Sequence, residues 1–248
     1  MNLYFLESWG EFGQRIINLI TNLERTLGGG RARELLDGLW ITIQISLGAM
    51  LIGIIIGSFI AACKLSKYRF PRAVAFIYLG VIRGTPAVTQ LLIVSATIFA
   101  TARGAPLRIG IVALGINSGA YVAEIIRAGI MSIDKGQTEA GLSLGLSKSQ
   151  TLVFIVMPQA IKNILPTFIN EFIVLIKETA IVGFVAIRDV TRVANLIMSR
   201  TMEPTPLFVS AAMYLIVISI LTMLLGLLEK RLRKADTPRI KSRKRLDG

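Results

Sequence analysis

The sequence predicts an all-α polytopic membrane protein with five transmembrane helices, its N-terminus outside, its C-terminus inside, and a polar helical elbow on the inner side. Three observations predict it. Hydrophobic residues make up 53% of the 248 residues and charged ones only 17%, and several apolar stretches reach the roughly 20 residues that a helix needs to cross a bilayer. Lys and Arg are spread unevenly over the segments between those stretches. A short polar-and-glycine passage between two long apolar blocks, around Glu139, carries two successive sets of helix-capping signals.

Taken in order, residues 1–38 are mixed. Trp9, Phe12, Ile16, Ile17, Leu19, Ile20 and Leu23 recur at helical spacing with Glu and Arg between them, the pattern of an amphipathic helix lying on a surface. Gly28-Gly29-Gly30 ends it. The first span runs from about Leu39 to Cys63, and its Gly48, Gly53 and Gly57 include a small-xxx-small pair that permits close helix packing. A basic loop follows, with Lys64, Lys67, Arg69 and Arg72. A second apolar run starts near Phe70, breaks at Arg83-Gly84-Thr85-Pro86 and resumes from Ala87 to Ala102. A third, from about Leu107 to Met131, carries Asn117 and Glu124.

The elbow comes next. Asp134 and Gln137 stand at capping-box spacing, so a helix is expected from Lys135 to about Leu144, closed by Gly145 in the left-handed conformation. Ser147 and Gln150 repeat the spacing and start a second helix at once. Two capped helices about one glycine make a rigid elbow, either a plain connection or a docking surface for a partner that pushes on the membrane part. Beyond it a long apolar stretch, 152–187, contains Pro158 and Pro166, and the last span is about Leu207 to Leu228. The organisation is thus an N-terminal segment over 1–34, a membrane domain over 35–230 and a basic tail over 231–248.

Five spans put the termini on opposite sides. With the N-terminus outside, the inner segments 64–72, 127–150 and 230–248 hold sixteen Lys and Arg against nine in the outer segments 1–38, 103–108 and 188–200. The positive-inside rule selects that orientation and places the elbow in the cytoplasm. The net charge of +13 is mostly tail, because nine of the 28 cations follow Glu229. No aromatics interleave those charges, which argues against nucleic acid. Cys63 is the only cysteine and histidine is absent, so a disulfide within the chain, His-based triads and cysteine-cluster or His metal sites are excluded. The N-terminus lacks the charged region and cleavage site of a signal peptide. No nucleophile–base pair and no GxxxxGK[ST] phosphate loop is present; the chain reads as a non-enzyme without cofactor.

Ionisable groups at membrane depth cost several kcal/mol, about 2.5–3.5 on insertion scales, unless paired or solvated. Asn170 and Lys177 are seven apart, as are Glu171 and Glu178, so each pair shares a helix face. These residues are either register-fixing ion pairs or the lining of a pathway. Lys177-Glu178-Thr179 puts a cation, an anion and a hydroxyl together, the complement of a zwitterion. Glu124 is open to both readings. Arg83 either snorkels to the inner interface or holds a carboxylate. The break at Gly84 and Pro86 leaves Arg83, Thr85 and Gln90 either bordering a watery cavity or packed inside protein, since irregular backbone at membrane depth is tolerated only in those two places.

From Glu139-Ala140-Gly141, through Gly145, to Met157-Pro158 the elbow resembles the EAA loop of bacterial ABC-importer permeases, with Gly141 in place of the usual Ala and Met157 in place of Leu. Ile82-Arg83-Gly84-Thr85-Pro86 with Gln90, the run Tyr121–Ile130, Leu146–Thr151, Pro158-Gln159-Ala160 and the run Asn170–Thr179 are similar to the polar amino-acid subfamily, over roughly 35–230. The resemblance implies a methionine-permease-like fold in a bacterial cytoplasmic membrane. It implies a second permease subunit, identical or paralogous, two ATPase subunits and an extracytoplasmic amino-acid-binding protein. It makes Glu139, Ala140, Gly141, Gly145, Leu146 and Pro158 the ATPase-coupling set. The site for a polar amino acid would then be Arg83, Thr85, Gln90, Asn170, Glu171, Lys177, Glu178 and Thr179. A permease for another small solute, or an ATPase-independent carrier or channel, are the alternatives.

Overall fold

In the computed structural model, residues 22–23, 27–98 and 106–236 are described. Apart from residues 22, 23 and 27, the amphipathic helix expected before Gly28 falls outside them, as does the tail beyond 236. All regular structure among the described residues is helical: α1 Arg31–Leu65, α2 Arg69–Gly84, α3 Ala87–Thr97, α4 Pro106–Met131, α5 Lys135–Ser143, α6 Lys148–Thr151, α7 Met157–Glu178, α8 Val190–Thr201 and α9 Thr205–Asp236. A π-turn, Leu152–Val156, joins α6 to α7, and a 3-10 segment, Thr179–Val185, follows α7.

Helix α1 begins eight residues earlier than the apolar run suggests, at Arg31, because Gly30 takes φ +82 and turns the chain straight into it. α1 and α4 form the most extensively packed pair. Small residues let their backbones close up: a Cβ on Gly57 would lie 2.6 Å from Val122 Cγ1, and one on Gly115 2.7 Å from Ile52 Cβ. Association without a hydrophobic driving force depends on such contact. The opposite side of α1 shows Leu36, Trp40, Leu47, Leu51, Ile55 and Phe59, all at least half exposed, an apolar stripe at helical spacing suited to lipid.

One buried cluster unites Ile45 and Ala49 of α1, Leu91 of α3, Ala113 and Leu114 of α4, Leu175 of α7 and Val182 of the 3-10 segment. A second ties Leu35 to Val190, Val193 and Ile197 of α8, with Leu207 and Met213 of α9 beside them.

Among the described residues three helices are long and apolar enough to cross a membrane: α1, α4 and α9 as far as Arg231. The pair α2 and α3 makes a fourth if counted as one span, bent by 107° at the predicted break. α7 has 22 residues, but Lys162, Glu171, Lys177 and Glu178 take it out of the purely apolar class.

Candidate functional site

The elbow is built from its caps. Asp134 caps α5, its Oδ1 accepting from Gly136 N at 2.6 Å. Gln137 does not close the box; its Oε1 instead accepts from Gln159 Nε2 at 3.3 Å, tying α5 to the start of α7. At the other end Gly145 adopts φ +83, Leu146 N donates to Gly141 O at 3.1 Å and Gly145 N to Leu142 O at 3.0 Å, the paired bonds of a Schellman motif. Ser147 and Gln150 form the complete box, at 3.2 Å and 2.8 Å. Glu139, Ala140, Gly145 and Pro158 are exposed, Leu146 is half-buried and Gly141 is buried. Gly141 has to be small: a Cβ there would stand 2.7 Å from Thr151 Cγ2 and 2.8 Å from Ile155 Cδ1. Two residues beyond the motif stand out. Leu142 is 40% exposed and Leu144 81%, apolar side chains on an otherwise polar prominence.

On α7, Glu171 is half-buried and accepts from Ser118 Oγ of α4 at 3.4 Å. Glu178 lies two turns on, about 10 Å along the axis at 1.5 Å per residue. Asn170 and Lys177 are exposed. Thr179 is fully buried; its hydroxyl donates to Ile176 O at 2.7 Å and lies 3.4 Å from Tyr214 Oη.

The group from α2 and α3 assembles around the break. Pro86 forces Thr85 into extended backbone, φ −123 and ψ 147, which strips nearby carbonyls of helical partners. Gln90 takes them up. Its Nε2 lies 2.7 Å from Ile82 O, 3.1 Å from Thr85 O and 2.8 Å from Thr85 Oγ1, while Asn117 Nδ2 of α4 donates to its Oε1 at 3.0 Å. The Gln90 amide is therefore fully engaged with the chain itself. Arg83 is exposed, its guanidinium 5.9 Å from the ring centre of Tyr121. Among the described residues no hydrogen bond or ion pair links this group to Asn170–Thr179.

Glu124 meets Lys64 of α1, in a close ion pair, and Arg127 Nη2 at 3.0 Å. It also borders a cavity of about 500 Å³ between α4 and α7, with Ser132, Asn163 and Thr167.

The residues 53–234 match the model of the family described as binding-protein-dependent transport system inner membrane component. The chain belongs to that family. It is the membrane-embedded permease component of a transport system, a subunit that works with an ATPase and other partners, and it is not an enzyme. It is 39% identical over 212 residues to the arginine transport system permease protein ArtQ of Bacillus subtilis, covering 82% of this chain and 94% of that one. It is 34% identical over 201 residues to the putative glutamine transport system permease protein GlnP of Rickettsia felis, covering 80% and 92%. Among solved structures, an amino acid ABC transporter crystallised with histidines matches with TM-score 0.76 at 42% identity, over 81% of this chain and 94% of that one. The MetNI methionine transporter, at 17% identity and TM-score 0.70 over 80% and 96%, shows the fold alone.

The permease also contains a polar knot that no charge within an apolar run announces, because it sits at a helix start. Asp189, fully buried, caps α8 by accepting from Thr191 N and Arg192 N at 3.0 Å each, and accepts from Tyr214 Oη of α9 at 3.3 Å. Burial pushes its carboxyl above the ordinary value, against the opposing pull of those N–H groups and of the Thr191 and Tyr214 hydroxyls. An acid directly before an apolar-periodic run is the N-cap signal that would have found it.

Proposed function

We propose that the permease is the transmembrane subunit of an ATP-driven importer of a polar amino acid in a bacterial inner membrane. Relatives named for glutamine and arginine transport, with an amino acid transporter at 42% identity, are the observation that carries the substrate class. The path crosses a five-span domain over about 35–230, flanked by the N-terminal segment and the basic tail. α1, the bent α2–α3 pair, α4, α7 and α9 are the spans, and α7 tolerates its charges by lining the path. The N-terminus lies outside and the C-terminus inside. The Lys64–Glu124 pair puts the basic α1–α2 loop at the end of α4 from which the elbow departs, as the positive-inside rule asks.

Asn170, Glu171, Lys177 and Glu178 supply acceptors and a cation for the α-ammonium and α-carboxylate of the cargo, with Arg83 as a further cation. Thr85 and Gln90 serve the site by holding the break, and Thr179 by its place against Tyr214. The elbow docks on an ATPase through Glu139, Ala140, Leu144 and Leu146, with Gly141, Gly145 and Pro158 setting its geometry. Two ATPase copies, a second permease subunit and an extracytoplasmic binding protein complete the system. ATP-driven closure of the ATPase pair moves the elbow, and the spans rock about a central site.

The test is a pull-down of the tagged permease from its native membrane, wild type against Glu139→Arg, followed by mass spectrometry and by amino-acid-stimulated ATP hydrolysis in proteoliposomes. An ATPase recovered with wild type and depleted with the variant is the expected result. Absence of any ATPase under gentle extraction would sink the reading in favour of an autonomous carrier.

A further inference from the structure

We propose that the cleft between the end of α1 and the start of α2 is a binding site for the phosphate of an anionic phospholipid headgroup. A cavity of about 490 Å³ opens there, lined by Lys64, Arg69, Arg72, Ala73 and Phe76. Three of its five lining residues are cations, and the other two give it one apolar wall.

Among the described residues this charge is not balanced. Residues 64–72 hold four Lys and Arg and no Asp or Glu. Lys64 shares Glu124 with Arg127, and among the described residues Lys67, Arg69 and Arg72 have no ion pair. Lys67 lies instead over the Tyr68 ring, 5.1 Å from its centre.

The helix polarity deepens the mismatch. Arg69 and Arg72 stand in the first turn of α2, where no acid is present and where Tyr68 supplies no side-chain cap. That end of a helix carries the positive end of the peptide dipoles and unbonded N–H groups, so it favours anions and disfavours cations. Two guanidinium groups held there without an acid are explained by an anion that comes from outside the chain. A phosphate suits them, because a planar guanidinium binds two of its oxygens at once.

The surroundings select a lipid as the bearer of that phosphate. Phe76 is 78% exposed, Phe70 79% and Tyr68 63%, a cluster of aromatic side chains of the kind that settles at the level of headgroups. The cleft therefore presents cations on its polar side and an apolar wall where glycerol and acyl chains would lie. Basic pockets between membrane helices on the inner side hold anionic headgroups in this way.

The experiment uses the intact complex of permease and ATPase, incubated in detergent with equal amounts of phosphatidylglycerol and phosphatidylcholine of matched chains and read by native mass spectrometry. The wild type should retain phosphatidylglycerol in preference. R69Q/R72Q should bind it more weakly by about fivefold for each cation removed, while R69K/R72K should keep most of the binding. R188Q/R200Q, which removes two cations near Glu34, should leave retention unchanged. Recovery of the intact complex in the same spectra shows that each variant is folded. Equal retention by wild type and R69Q/R72Q, or equal uptake of phosphatidylcholine, overturns the proposal. Displacement of the lipid by millimolar inorganic phosphate overturns the lipid assignment and gives the site to a free anion.

Discussion

Gly141 shows how much a single methyl group can weigh. The elbow motif usually has Ala at this place, and the departure reads as mild in one dimension. In three dimensions the position faces Thr151 and Ile155 at distances no Cβ tolerates. G141A should therefore cost about 1–3 kcal/mol by overpacking and weaken ATPase stimulation, and T151S, which removes the Thr151 methyl, should restore part of both. Thermal melts and stimulated hydrolysis check this; a G141A protein that melts and couples like wild type would contradict it. Asp189 makes a different case. An acid whose folded pKa is raised holds its proton better folded than unfolded. Its contribution to stability is complete below the ordinary carboxylate range and is lost as pH rises through the raised value. D189N cannot ionise and keeps an oxygen for the α8 N–H groups. Its melting temperature relative to wild type should rise between acid and neutral pH, and parallel pH profiles would count against the assignment. D189A, with no acceptor, should fall about 1 kcal/mol below D189N throughout.

At the scale of elements, the bent pair α2–α3 is the most informative. Arg83-Gly84-Thr85-Pro86 announces a break, and the break is where the sequence places it. The use of Gln90 is not legible there, because a glutamine four residues after a proline can face a pore as readily as it can turn back. The structure spends its amide on Ile82, Thr85 and Asn117, so its removal orphans backbone carbonyls at membrane depth. Q90A should lower stability by about 1–3 kcal/mol and T85A by less, since Thr85 loses only a hydroxyl. Melts of the two variants side by side decide it; a Q90A no worse than T85A would remove the stapling role. The elbow shows the same division. Ser147 and Gln150 form the box their spacing predicts. Gln137 leaves its box for Gln159, twenty-two positions away, a partner that exists only after α7 has folded back onto α5.

For the whole molecule, the surface that matters most is the one left uncovered. Leu144 is 81% exposed, so L144D should shift the melting of the isolated permease by no more than about 0.5 kcal/mol in stability. In the complex it should sharply reduce ATPase recovery and stimulated hydrolysis. Normal ATPase recovery with L144D would move the docking surface elsewhere on the elbow. Exposure of an apolar residue on a polar prominence is a property of the fold and has no signature in the local sequence.

The sequence by itself determined the helical class, the membrane setting, the bend after Arg83, the elbow and its glycine hinge. These follow from local rules: apolar run length, proline and glycine stereochemistry, and capping at fixed short spacing. Only the tertiary structure decided which polar groups are engaged and which are free. Gln90 and Thr179 are held by the chain, Asn170 and Lys177 stay open, and Glu124 is claimed by cations from two helices. Those outcomes rest on contacts between residues far apart in sequence. A polar side chain satisfies whichever partner the packing of helices brings within about 3 Å, and no spacing along one helix encodes that choice.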